Sequence, residues 1–335
     1  MRVRWWLQVS GLALFIVFIG VAGTFNYLWR QSDTVDSIGW PETAAVTEPV
    51  DAVTATWLGI STILFDDGET QILIDGVFTR VNPVRVLTFR PVRSDVATIN
   101  YALARFSMTR LRSIVPVHSH FDHAMDVGHV ANRSSALVIG SESTANVARG
   151  ADVPVDQYQI LADGEERQFG DFRVRLVESR HAPIGMGDQE IFPGIIGEPL
   201  RQPARVSAYR TGVPWSVFVS HPRGTTLVQG SAGFIDGKLE GESADVVMLC
   251  VAGLSGLGRD YTERYWQETV LHTGATRLIA IHFEDFMAPF GETRLLPRFL
   301  DDVVTTAGWI DELVAADERE LKIELPVFGQ PIALY

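Results

Sequence analysis

Read for its hydrophobic and polar positions, the chain opens its globular part with ATWLGISTILFDDGETQILIDGVF at 55–78, two β-rich runs with Asp67-Gly68 as the turn. An Asp-Gly pair between such runs predicts a hairpin, and with it the start of a sheet. Residues 94–109 then carry Val96, Ile99, Leu103 and Phe106 at helical spacing, and the short apolar run SIVPV leads straight into His118. Farther on, FRVRLVES ends at Arg180-His181, TTLVQG ends at Ser231, and RLIAIHF ends at His282-Phe283-Glu284. The run ADVVMLCVAG reads as a further buried strand. Three strand ends thus deliver a histidine or a small polar residue to what is expected to be one edge of a mixed α and β architecture.

The N-terminus departs from this pattern. Between Arg4 and Arg30 there is no charged residue, and WWLQVSGLALFIVFIGVAGTFNYLW is almost wholly apolar. As a helix rising about 1.5 Å per residue, it is long enough for a hydrocarbon core of roughly 30 Å. Arginines precede it, whereas residues 31–79 hold several acids and no Lys or Arg. The charge asymmetry predicts a single-pass inner-membrane helix with the rest of the chain outside the cytoplasm. Trp5, Trp6, Tyr27 and Trp29 suit interfacial anchors, and the alternative is secretion after signal cleavage near Val21-Ala22-Gly23. Residues 31–52, rich in Asp, Glu, Thr, Pro and Ser, predict a linker, and 53–335 the folded domain.

Composition narrows the partners. With 335 residues, 46% of them hydrophobic, the chain can bury a sizeable core. A formal charge of −13 argues against a surface built to neutralise nucleic-acid phosphates. Cys250 is the single cysteine and sits in an apolar run, so it reads as a buried strand residue rather than half of an internal disulfide.

The candidate chemistry lies in VHSHFDHAMD at 117–126, which holds three of the eight histidines. In a strand-to-loop segment His118 and His120 project to one side, so both imidazoles can reach a single ion, while Asp122 and His123 follow in the turn toward a second position. Imidazole and carboxylate in this proportion suit zinc, with manganese, iron or nickel as alternatives.

The motif His118-Ser119-His120-Phe121-Asp122-His123 resembles the H-x-H-x-D-H signature of the metallo-β-lactamase superfamily, and the resemblance extends over about 53–335. It includes WLGIST, LIDGVF, DGEERQFGDFRVRLVESRHAP and LIAIHFEDF, and is closest to the branch of the L-ascorbate-6-phosphate lactonases and the N-acyl-phosphatidylethanolamine phospholipases D. It implies an αββα sandwich with a metal centre at one edge. His118, His120 and His181 would hold one ion, and Asp122, His123 and His282 a second. The family's bridging aspartate falls in a turn that here reads Gly230-Ser231-Ala232-Gly233, so Ser231 brings no charge to a pair of dications.

A metal-activated water with Asp122 as proton shuttle predicts hydrolysis of an ester, lactone, amide or phosphodiester. No flavin-binding segment accompanies it. The long insert after His181 carries Met186, Ile191, Phe192, Ile195, Ile196 and Trp215, which would favour a lipid-like substrate, and Arg201, Arg205 and Arg210, which could meet a phosphate. A metal-binding scaffold or sensor with weakened catalysis is the alternative function. His129 reads as a helix residue beside the site, His272 as a helix C-terminal residue, Asp245 as structural, and His221 as a hairpin residue that reaches the site only if its hairpin folds over it.

Overall fold

The hairpin at Asp67-Gly68 forms, but the apolar run before it breaks in two. Strands β1 (Thr54–Trp57) and β2 (Ile63–Asp66) pair antiparallel across a reversal in which Gly59 and Ile60 take φ of 93° and 56°. The indole Nε1 of Trp57 donates to the Ile60 carbonyl at 2.9 Å and holds the reversal closed. β3 (Gln71–Ile74) follows, and with it the computed structural model departs from a simple hairpin to build two sheets.

The structure describes residues 20, 23, 24, 27, 32–46, 52–185, 187 and 189–335. The expected membrane span therefore falls outside the described residues apart from isolated positions, as does Met186. Among the described residues no helix is long and apolar enough to cross a membrane.

In the first sheet β3 runs parallel to β4 (Leu111–Val115), β5 (Leu137–Gly140) and β6 (Tyr158–Ile160), after helices α1 (Pro83–Leu87) and α2 (Val96–Arg105). The helical spacing read at 94–109 thus holds. Asp95 caps α2 by accepting from Ala97 N and Thr98 N. Between β4 and β6 lie α3 (Phe121–Ala124), α4 (Val127–Ser134) and α5 (Glu142–Gly150).

The second sheet opens with β7 (Glu166–Phe169), β8 (Phe172–Glu178), β9 (Trp215–His221) and β10 (Gly224–Gln229), each antiparallel to the next. It continues in parallel through β11 (Val246–Cys250), β12 (Arg277–Ile281) and β13 (Lys322–Glu324), with α6 (Leu254–Leu257), α7 (Arg259–Trp266) and α8 (Val303–Ala316) in the connections. β14 (Pro331–Ala333) returns to pair with β1. Cys250 is buried in β11.

Side-chain alternation sorts the layers. Phe65, Ile72, Ile74 and Val115 of the first sheet meet Val174, Leu176, Val217 and Val219 of the second. Their neighbours Leu64, Leu73, Ile114 and Val138 face the other way, against Ile99, Val130 and Val147 of the helices. Strands covered on both faces read as unbroken apolar runs, which is what the sequence shows there. Tyr265, Trp266 and Ile310 cover the far face of the second sheet. The result is helix, sheet, sheet, helix, the αββα order that the resemblance implied.

Part of the expected linker is not a free tether. Ile38 and Trp40 are buried, Trp40 Nε1 donates to Asp311 Oδ1 at 2.7 Å, and Thr43 N donates to the Leu325 carbonyl at 2.9 Å. Two buried apolar side chains and these hydrogen bonds dock residues 32–46 on α8 and the end of β13.

Candidate metal centre

Strand direction explains how distant residues meet. β3 and β4 run parallel, and β8, β10 and β12 share one direction because β9 reverses between β8 and β10, and β11 is parallel to its neighbours. The ends of these five strands deliver Asp75, His118, His181, Ser231 and His282 to one edge. A cavity of about 550 Å³ opens there, lined by all six residues singled out in the sequence: His118, His120, Asp122, His123, His181 and His282.

Two sets of donors converge in it. His118, His120 and His181 form one, and Asp122, His123 and His282 the other; within each set the donor atoms lie within 4.8 Å of one another. The sets adjoin, since the His118 and His123 ring centroids are 3.9 Å apart.

Hydrogen bonds assign the free lone pairs. Thr211 Oγ1 approaches the Phe192 carbonyl at 3.3 Å and His120 Nε2 at 3.0 Å. A hydroxyl that gives its proton to the carbonyl accepts from His120 Nε2–H, which leaves His120 Nδ1 as a bare acceptor. His181 Nδ1 donates to the Ala182 carbonyl at 2.7 Å, freeing Nε2. His123 Nδ1 donates to Asp75 Oδ2 at 2.8 Å, freeing Nε2, which lies 3.6 Å from Asp122 Oδ2; His282 Nε2 lies 3.7 Å from the same oxygen. His118 Nε2 faces His120 Nδ1 at 3.0 Å. Buried His118 Nδ1 and His282 Nδ1 have no hydrogen-bond partner among the described residues.

Charge follows burial. Desolvation, aided by the neighbouring rings, pushes His118 well below its ordinary value, His120 to about 4 and His181 to about 3, so all three are neutral at pH 7. Neutral imidazoles with converging lone pairs are what a divalent cation requires. Burial works against charge on Asp122, but His123 and His282 outweigh it and hold the carboxyl well below the usual carboxylate range. Burial likewise opposes charge on His123, and Asp75 overcomes it, so His123 is held above its ordinary value. The donor set fits one or two divalent ions.

Several supporting residues were not legible in the sequence. Asp75 is fully buried, sits at φ 56°, and accepts from Val117 N at 2.8 Å as well as from His123. Asp126 accepts from Phe78 N, Thr79 N and Thr79 Oγ1, fixing the loop after β3. The backbone N–H of His282, itself at φ 57°, donates to the Ile60 carbonyl at 3.0 Å, and Ile60 N donates to Glu284 Oε1. Each of these bonds joins segments far apart in the chain, so local spacing carries no trace of them.

Ser231 lies in the cavity wall, where its Oγ accepts from Ala182 N at 3.1 Å and so braces the His181 loop. The turn around it is tight. A Cβ on Gly230 would come within 2.6 Å of Val117, and one on Gly233 within 2.0 Å of the Arg180 carbonyl, so only glycine fits at either position.

The remaining expectations divide. His129 lies on α4, half-buried, and does not line the cavity. His272 follows a π-helical turn at 267–271 and lies 3.3 Å from Glu268. His221 does not fold over the site: it lies at the hairpin end beside Asp67, at 3.7 Å, and lines a different cleft. Asp245 accepts from Thr225 N at 2.7 Å, a structural bond. Ile191 and Phe192 line the cavity as expected, whereas Ile196 and Trp215 are core residues and Ile195 is exposed. Arg201 pairs with Asp152, Arg210 donates to the Pro193 carbonyl, and neither they nor Arg205 line the cavity.

No family model matches the sequence. The chain is similar to a UPF0173 metal-dependent hydrolase of Heliobacterium modesticaldum, with 31% identity over 126 residues. That match covers 38% of this chain and 44% of the relative's length. Among solved structures it is similar to Igni18, a metallo hydrolase of Ignicoccus hospitalis, at 14% identity and a TM-score of 0.47, covering 85% of this chain and 99% of that one. It is also similar to the metallo-β-lactamase fold protein YhfI of Bacillus subtilis, at 13% identity and a TM-score of 0.47, with the same coverage.

Proposed function

We propose that the protein is a metal-dependent hydrolase, with His118, His120 and His181 holding one ion and Asp122, His123 and His282 a second. The observation that carries this reading is the convergence of two donor sets, three of the imidazoles held neutral by burial, inside one cavity. Zinc suits the donors best, with manganese, iron and nickel as alternatives. When bound, such an ion supplies Lewis acidity, which brings the pKa of water to about 7. Asp122, ionised and at the junction of the two sets, orients the water, takes its proton and returns it to the leaving group. Asp75 keeps His123 in the tautomer that presents Nε2.

The cavity walls favour an ester, lactone or amide with an apolar part over a phosphodiester. Ile184, Ile191, Phe192, Phe286 and Leu296 line the cavity, and among its described lining residues there is no Lys or Arg to meet a phosphate. On the motifs given above we place the chain near the lactonase and phospholipase D branch, the cavity walls favouring the acyl chemistry of the former over phosphodiester cleavage, and we read the apolar N-terminal run as its anchor in the inner membrane, with the domain outside the cytoplasm. A scaffold with weakened catalysis is the second reading, favoured by one observation: the Ser231 hydroxyl is engaged by Ala182 N and brings no charge to the site. A panel of acyl esters, lactones, N-acyl amides and phosphodiesters tests both. Turnover of an uncharged acyl substrate supports the hydrolase, and metal binding without turnover of any member supports the scaffold.

A further inference from the structure

The mouth of the metal cavity is rimmed by apolar side chains that face solvent. Leu87, Ile184, Ile191 and Leu300 each line the cavity, yet they are 67%, 40%, 36% and 50% exposed. Beside Leu87 on and after α1, Val84 and Phe89 are 60% and 51% exposed. Contiguous exposed apolar side chains around a cavity mark a surface that meets something apolar.

Two features identify what it meets. From 76 to 94 the chain has no acid but carries Arg80, Arg85, Arg90 and Arg93, in a protein whose formal charge is −13. Arg85, Arg90 and Arg93 are exposed among these apolar residues. Basic and apolar side chains interleaved on one exposed segment suit an anionic lipid surface, the first meeting headgroups and the second the acyl boundary. The other feature is where the chain enters the domain. Arg298 Nη2 donates to Asp33 Oδ1 at 2.8 Å, which fixes residue 33 two positions from Leu300 on the rim. Immediately before it in sequence runs the apolar stretch 5–29.

We propose that this rim docks on the anionic surface of a lipid bilayer, so that the metal cavity opens toward the membrane and takes an acyl substrate from it without passage through bulk water. The inference rests on the reading of the N-terminal run as a retained anchor, and it is independent of which bond is cleaved.

The test uses the full chain reconstituted into vesicles of phosphatidylcholine alone, or of phosphatidylcholine and phosphatidylglycerol in equal parts, each with spin-labelled lipid as quencher. Leu87→Cys and Leu300→Cys carry a fluorophore on the rim; Glu69→Cys carries it at the β2–β3 turn, the end of the first sheet away from the metal edge. Cys250 is buried but lines the metal cavity, so it is replaced by Ala in each variant. Quenching at Leu87 and Leu300 several-fold stronger than at Glu69, and stronger with phosphatidylglycerol, is the expected result. Protein that floats with the vesicles but shows equal, weak quenching at all three positions overturns the docking and leaves the anchor intact. Failure to float overturns both, and disulfide-linked pairs of unlabelled Leu87→Cys protein under mild oxidation, with no quenching in the labelled protein, would assign the rim to a second copy of the chain instead.

Discussion

The carboxylate of Asp75 accepts from His123 Nδ1 at 2.8 Å, and both side chains are almost wholly sequestered from solvent. A carboxylate behind a metal histidine orients the ring and raises its basicity, and loss of such a partner commonly costs 10- to 100-fold in metal affinity. Asp75→Asn keeps the shape and removes the charge. Affinity of the second ion should fall about 10- to 100-fold while the His118, His120 and His181 set keeps its own. Competition titration with a chromogenic chelator reads both; equal loss at the two sites would show that Asp75 serves the whole edge.

Asp122 sits where proton transfer and the second ion meet. Asp122→Asn should keep the fold and most of the first ion while turnover of a confirmed substrate drops about 10²-fold or more, the scale of general acid-base help. Unchanged kcat in a variant of normal circular dichroism would assign the proton transfer elsewhere.

Ser231 offers the direct test of charge at the junction. Without a carboxylate there, Asp122 is left as the one anion at the junction to offset repulsion between two dications held a few ångströms apart. The isolated wild type should hold one ion tightly and fill a second only as metal is added. Ser231→Asp should tighten the second site, since its carboxylate can still accept from Ala182 N. Metal analysis after gel filtration, on both proteins, distinguishes this from a wild type that already retains two.

Acid should destabilise the chelated protein through its histidines. His118, His120 and His181 are depressed in the folded state, so below their ordinary value of 6.5 the unfolded chain binds protons that the folded chain refuses. Stability is then lost as pH falls from about 6.5 toward 4, where His120 begins to titrate. His123, Asp75 and Asp301, all raised, contribute in the opposite sense, the two acids toward the acid end of the window, and the depressed Asp122 acts only below the carboxylate range. Urea midpoints of metal-free protein should fall through this window, and His181→Gln should make the slope shallower. A flat profile contradicts neutral buried imidazoles.

How much of this could be read in the chain depends on distance along it. His118, His120, Asp122 and His123 lie within six positions, so spacing alone proposes them, whereas His181 and His282 close apolar runs and join the ligand sets only through the resemblance to the metallo-β-lactamase superfamily. Asp75 serves His123 across 48 residues and Thr211 serves His120 across 91, and neither partner shows in local pattern. The break at Gly59-Ile60 was hidden because Ile rarely takes positive φ, a conformation stabilised here by Trp57 and Glu284. Polar composition made 32–46 look like a tether, although Ile38 and Trp40 dock it on the domain. Apolar composition alone does not separate the residues of the insert after His181, and the structure divides its described residues between cavity, core and surface.

Metal content and hydrolysis measured on the same sample test the central claim most directly. The full chain, purified without chelator, should carry at least one divalent ion, lose both ion and hydrolysis of an acyl ester on treatment with dipicolinate, and regain both on addition of zinc. Hydrolysis that survives complete removal of the ion, or a chain that binds no divalent ion at neutral pH, would contradict it.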